Sequence, residues 1–65
     1  MKNYKVYVWY RFNINGDDVN DYMDLDIDAN SPKEAAKLSL NQFQSSKQIP
    51  FKVEVDELTF KPNEL

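Results

Sequence analysis

Two stretches near the start of the chain alternate strictly between apolar and polar side chains. From position 4 to 14 the apolar side chains are Tyr4, Val6, Val8, Tyr10, Phe12 and Ile14. A second run, from 19 to 29, has its apolar side chains at Val19, Met23, Leu25, Ile27 and Ala29. A period of two, with aromatic and β-branched residues, predicts two β-strands at 4–14 and 19–29.

The segment between these strands predicts a tight hairpin. Asn15-Gly16 suits a type I′ turn, which needs a positive φ at both central residues. A two-residue turn fixes the register and places Val8 opposite Met23. Apolar residues then face apolar residues along most of the pair. One pair is mismatched, because Tyr10 faces Asp21, and there we expect the apolar face to be open to water.

A helix start follows the second strand. Ser31 suits the N-cap, Pro32 the first helical position and Glu34 the third, which together form a capping box. The pattern predicts a helix over 32–46 that frays near Ser45 and Ser46. Its inward stripe is made of mostly small residues, namely Ala35, Ala36, Ser39, Leu40 and Phe43.

A third strand is predicted at 49–60. The apolar side chains of its first part are Ile49, Phe51, Val53 and Val55. The alternation then breaks at Asp56-Glu57. Up to Val55 the apolar residues have odd numbers, whereas the apolar Leu58 and Phe60 have even numbers. We expect a β-bulge at this break, which returns both side chains to the core. Without a bulge they would cover a sheet edge or meet a partner.

These elements predict one α+β domain over residues 1–65, with the order β-β-α-β. A right-handed crossover gives a three-stranded antiparallel sheet of order 2-1-3, with one helix packed on one face. The order 1-2-3 is less plausible, because it would place the Asp-rich second strand in the centre. Either way the second face of the sheet has no helix to cover it.

The composition excludes several classes of enzyme and site. The 65 residues include no Cys, no His and one Gly, so disulfides, zinc–thiolate sites, His-based catalytic triads and Gly-rich phosphate loops are excluded. No apolar run approaches the roughly 20 residues that span a membrane, and the first residues lack a signal-peptide pattern. We expect a non-enzymatic cytoplasmic protein without cofactor, metal or membrane contact. The many Asn and Lys residues hint at a bacterium, phage or mobile element.

An acidic row is the first candidate site. Asp24, Asp26 and Asp28 alternate along strand two and lie about 6.6 Å apart on one face. They do not form an EF-hand loop, because Ala29 occupies the position of its essential Gly. We interpret the row as a charged edge that discourages aggregation. Mimicry of nucleic-acid phosphates is the alternative, because phosphates recur at a comparable interval, and a metal site is a more remote one.

An aromatic cluster on the same uncovered face is the second candidate. Tyr7, Trp9 and Tyr22 would lie together there, with Lys5 and Arg11 beside them. The cluster could stabilise the sheet, bind a protein or bind single-stranded nucleic acid. A net charge of −3 and a pI near 4.7 argue against nucleic acid.

The leading functional hypothesis is a small acidic protein–protein interaction module. The partner is a protein, either a foreign one or a second copy in a homodimer. The second hypothesis is an acidic mimic that occupies the nucleic-acid-binding site of a host protein. The third hypothesis is a binder of single-stranded nucleic acid. The candidate partner-binding residues are Tyr7, Trp9, Arg11, Tyr22, Asp24, Asp26 and Asp28.

One segment resembles a known family. Residues 28–43, with Ala-Asn-Ser-Pro-Lys-Glu-Ala-Ala followed by a short helix, are similar to the strand-to-helix join of small β-β-α-β domains of the HicB-type antitoxins. The resemblance implies the same order of elements and assigns no functional residue.

Overall fold

The computed structural model describes residues 1–43 and 47–65. Its four strands are β1 (Lys2–Ile14), β2 (Asp17–Ala29), β3 (Ile49–Val55) and β4 (Leu58–Phe60). Its helix is α1 (Pro32–Leu40), and single 3₁₀ turns cover Asn41–Phe43 and Pro62–Glu64. The predicted end of the helix, near Ser45 and Ser46, lies outside the described residues.

The chain forms a small α+β domain in which one helix packs on an antiparallel sheet. The sheet has four strands in the order β2-β1-β3-β4, so the prediction of three strands is wrong. The first three strands keep the predicted order, with the aromatic β1 in an inner position. Because β2 lies at an edge, its aspartates keep access to water.

The long β1–β2 hairpin has the predicted register. Val8 pairs with Met23, and the ladder continues to Ile14 and Asp17 beside the turn. Asn15 and Gly16 have φ values of 53° and 89°, as a turn with two positive φ values requires. The Gly16 N–H also donates a hydrogen bond of 3.1 Å to Asn13 Oδ1.

The helix begins at the predicted cap. Ser31 is extended, and its Oγ accepts a hydrogen bond of 3.1 Å from the Glu34 N–H. Ala35, Ala36 and Ser39 are fully buried, so their small side chains let the helix lie close to the sheet. The Ser39 hydroxyl donates to the Ala36 carbonyl at 2.7 Å, which satisfies a buried polar group within the helix.

A second tight turn replaces the predicted bulge. Asp56 and Glu57 have φ values of 49° and 67° and join β3 to the short strand β4. A two-residue turn makes Val55 face Leu58, which changes the parity of the apolar positions from odd to even. Phe60 packs against the core, whereas Leu58 is 50% exposed.

A bulge lies instead at the start of β3. The pairing of β1 with β3 shifts between Trp9 and Tyr10, where Trp9 faces Lys52 and Tyr10 faces Pro50. Phe51 is therefore the extra residue. The prediction that Ile49 and Phe51 continue the apolar face of Val53 is wrong, because both are exposed.

The core lies between α1 and one face of the sheet. Four valines from the two inner strands are essentially inaccessible to water, namely Val6, Val8, Val53 and Val55. Tyr10 is also buried, at 7% exposure, and its ring lies 5.7 Å from the ring of Phe43. The expectation that the apolar side of the sheet is accessible to water beside Tyr10 is thus wrong, although Asp21, which pairs with Tyr10, is exposed. Among the described residues, no helix is long and apolar enough to cross a membrane.

Candidate functional site: the uncovered sheet face

The side of the sheet opposite α1, here called the open face, is built by strand alternation. Odd positions of β1 and even positions of β2 point to this side, because their neighbours point into the core. The β3 residues Lys52 and Glu54 join them, since they pair with Trp9 and Tyr7. The structure places all seven predicted partner-binding residues on this one face.

Trp9 is the centre of the open face. Its ring stacks on that of Tyr22, with 5.5 Å between centroids and 28° between planes. The Tyr7 ring lies 6.2 Å away in a tilted arrangement. On the β3 side, Lys52 Nζ lies 4.2 Å from the Trp9 ring centroid, within cation–π range. These contacts leave Trp9 half-buried, while Tyr7 is 38% and Tyr22 56% exposed.

The bulge in β3 adds an aromatic residue that sequence reasoning missed. Phe51 is 38% exposed, and its ring centroid lies 5.9 Å from Arg11 Cζ. Ile49, which pairs with Arg11, is 65% exposed. Pro50 was the available signal, because a proline inside a strand pattern points to an edge or a bulge. Apolar surface thus crosses the open face from β2 to β3.

Arg11 differs from the other two cations of the open face. Lys5 lies 3.3 Å from Asp26 and 3.8 Å from Asp24, and Lys52 lies 3.8 Å from Glu54. Over residues 1–43 and 47–65, Arg11 has no carboxylate oxygen within 4.0 Å. Its only ring contact there is with Phe51.

The acidic row has partners within the chain. The hydrogen bond to Asp26 and the charge of that carboxylate raise the pKa of Lys5 above its ordinary value of 10.5. Asn3 Nδ2 donates to Asp28 Oδ1 at 3.1 Å. Lys5 therefore offsets part of the negative charge of the row, whereas the amide of Asn3 is neutral. The described residues contain no cluster of acidic side chains that could hold a metal ion.

Asp21 protects the middle of the edge strand. Its Oδ1 accepts a hydrogen bond of 2.8 Å from the backbone N–H of Tyr22. This contact occupies a backbone donor of β2, and the aspartates along the strand add charge to the same edge. Both features discourage another strand from pairing with β2.

Comparisons of the chain with protein-family models, with curated proteins and with solved structures find no match. The resemblance of residues 28–43 to HicB-type antitoxin domains stays a prediction.

Proposed function

We propose that this protein is a small, non-enzymatic protein–protein interaction module that binds its partner through the open face. The observation that carries the proposal is the aromatic cluster around Trp9 on the side of the sheet opposite α1. Trp and Tyr supply a large share of the residues that dominate binding energy at protein interfaces. Their rings combine a large apolar area with a polar group that tolerates water in the unbound state.

The geometry of the cluster suits a protein partner. Trp9 is held between Tyr22 and Lys52 before any partner arrives, so little side-chain entropy is lost when it is covered. Tyr7 and Phe51 extend the apolar surface on either side, and charged residues surround it. An apolar centre with a polar rim is the usual composition of a protein interface.

The acidic mimic is the alternative, and the spacing of Asp24, Asp26 and Asp28 supports it. Phosphate mimicry needs carboxylates whose charge is free to meet a basic site. Here Lys5 lies within 4 Å of two of the three carboxylates, which lowers the local negative potential. We therefore rank mimicry second.

Binding of single-stranded nucleic acid ranks third. The stacked Trp9 and Tyr22 could accept bases. The acidic row beside them would repel phosphates, and the net charge of the chain is −3. The bacterial, phage or mobile-element origin and the cytoplasmic location remain predictions.

Affinity purification from cells of the source organism, with quantitative mass spectrometry, tests the proposal. Trp9→Ala should lose a protein partner that the wild type retains, while Leu38→Ala, which removes an exposed apolar side chain of α1, should retain it. Loss with both variants, or with neither, would contradict the proposal.

The same purification separates the alternatives. In a mimic, changing Asp24, Asp26 and Asp28 to Lys abolishes capture of a nucleic-acid-binding protein, and high salt weakens it. In a nucleic-acid binder, the Lys variant retains more nucleic acid than the wild type.

A further inference from the structure

We infer that the open face binds a second copy of this chain in a symmetric dimer, with Arg11 of each copy against the partner's Asp24. This inference rests on the proposed function and names its partner. The two copies would pack sheet against sheet, with Trp9 near a two-fold axis that runs across the strands.

The dimensions of the molecule fit such an interface. The principal axes measure 41 × 21 × 20 Å, so one broad side is comparable with the roughly 800 Å² that each partner buries in a standard interface. The open face carries the exposed rings of Tyr7, Tyr22 and Phe51. A second copy offers the same sheet face with equally exposed rings.

A small chain also has a physical reason to use its second sheet face. The 65 residues contain no Cys, and in the described part of the chain the helix covers one side of the sheet. Small single-layer cores have a thin margin of stability, and association with another subunit is one way to increase it. Two open faces packed together would form a second apolar layer between the sheets.

One pair of opposite charges favours the proposed orientation, although the same axis sets Lys52, which pairs with Trp9, opposite the partner's Lys52. Arg11 is the cation of the open face without a carboxylate partner among the described residues. Along β1, Arg11 lies two residues after Trp9, and Tyr7 lies two residues before it. A two-fold axis across the strands at Trp9 therefore places Arg11 over the partner's Tyr7.

Asp24 completes the contact, because it pairs with Tyr7 on the neighbouring strand. Adjacent strands are about 4.8 Å apart, so an Arg side chain over the partner's Tyr7 can reach the partner's Asp24. The symmetry produces this contact twice. Burial away from water strengthens such a charge-assisted hydrogen bond.

Sedimentation equilibrium from 1 to 500 µM tests the inference. The net charge of −3 on each copy opposes association, so the measurement uses 0.15 M salt, where the Debye length is about 8 Å. We expect the wild type to dimerise within this range. Trp9→Ala should raise the dissociation constant about 30-fold or more, the loss that defines a hot-spot residue.

Charge exchange tests the orientation without touching the core, because Arg11 and Asp24 are exposed. Arg11→Asp and Asp24→Arg should each weaken the dimer about tenfold or more, and the double variant should regain most of the affinity. Lys37→Glu, a charge reversal on the exposed side of α1, is the matched control and should leave the dissociation constant unchanged. Circular dichroism shows whether each variant is folded.

The outcomes are distinct. A wild type that stays monomeric at 500 µM overturns the dimer. The proposed function is then tested by the affinity purification alone. Dimerisation that Trp9→Ala and Arg11→Asp leave unchanged also overturns it, because the copies would then meet elsewhere. Charge variants that weaken the dimer without rescue in the double variant overturn the pairing of Arg11 with the partner's Asp24.

Discussion

Replacing Glu57 with Gly should stabilise the domain. Glu57 has φ of 67° in the turn between β3 and β4, a left-handed conformation that costs a residue with a Cβ about 1–2 kcal/mol. The equivalent position of the first turn is occupied by Gly16, with φ of 89°. Gly is the preferred second residue of such a turn, so the substitution makes the second turn resemble the first.

The expected gain is smaller than the strain that is removed. Gly increases the conformational freedom of the unfolded chain, which opposes folding by about 0.4–1 kcal/mol. From the midpoints of these two ranges, the net stabilisation is about 0.8 kcal/mol, and the melting temperature of a domain this small should rise by about 3–6 °C. Far-UV circular dichroism in thermal and urea melts measures both quantities.

Two further variants check the explanation. Glu57→Gln removes the charge but keeps the strain, so its melting temperature should equal that of the wild type. Gly16→Ala should destabilise the domain by about 0.5–1 kcal/mol through φ alone, because an added Cβ would meet no atom within 4 Å. A Glu57→Gly variant that melts at or below the wild-type temperature would refute the reasoning.

Three other predictions concern the helix and the acidic row. Ser31→Ala should cost about 1 kcal/mol in urea melts, and Ser31→Asn, which can still cap the helix, should cost much less. Ala36→Leu should destabilise the domain by about 1–3 kcal/mol, because a larger side chain would overpack this fully buried site on α1. The pKa of Lys5, followed by carbon NMR of its ε-methylene, should fall toward 10.5 in Asp26→Asn. Since the folded state raises this pKa, the stabilisation from Lys5 is complete below the unfolded value and is lost as the pH rises through the folded value.

The sequence contains enough information for the first hairpin and the helix start. Asn15-Gly16 combines the two residue types that best accept positive φ, so turn and register follow from local chemistry. The cap at Ser31 follows in the same way, because a side-chain oxygen at this position can accept the Glu34 N–H. Alternation then places Tyr7, Trp9 and Tyr22 together on the open face.

The second turn was harder to predict, because it breaks the usual residue preference. Asp56-Glu57 has no Gly, and a Glu with positive φ is disfavoured on local grounds. The pairing of Leu58 and Phe60 with β3 compensates for that cost, and Phe60 packs against the core. In the sequence, this turn is visible only as a break in the apolar–polar alternation. A β-bulge would produce the same break.

The exposed position of Phe51 depends on a similar irregularity. Strict alternation predicts that Ile49 and Phe51 lie on the core side of the sheet. The bulge beside Trp9 places the first residues of β3 on the opposite side. Pro50 gave a hint, but it did not specify the residue at which the ladder shifts. The aromatic surface of the open face therefore extends further toward β3 than the sequence pattern suggested.

Site-specific photo-cross-linking in cells of the source organism tests the central claim most directly. A benzophenone amino acid at Tyr22, on the open face, should give a cross-linked protein adduct that Trp9→Ala removes, whereas the same group at Lys37, on the exposed side of α1, should give none. An adduct of twice the 7.7 kDa chain mass would identify a second copy, and any other mass a foreign protein. Adducts from Lys37 alone, or adducts from Tyr22 that Trp9→Ala leaves unchanged, would contradict binding through the open face.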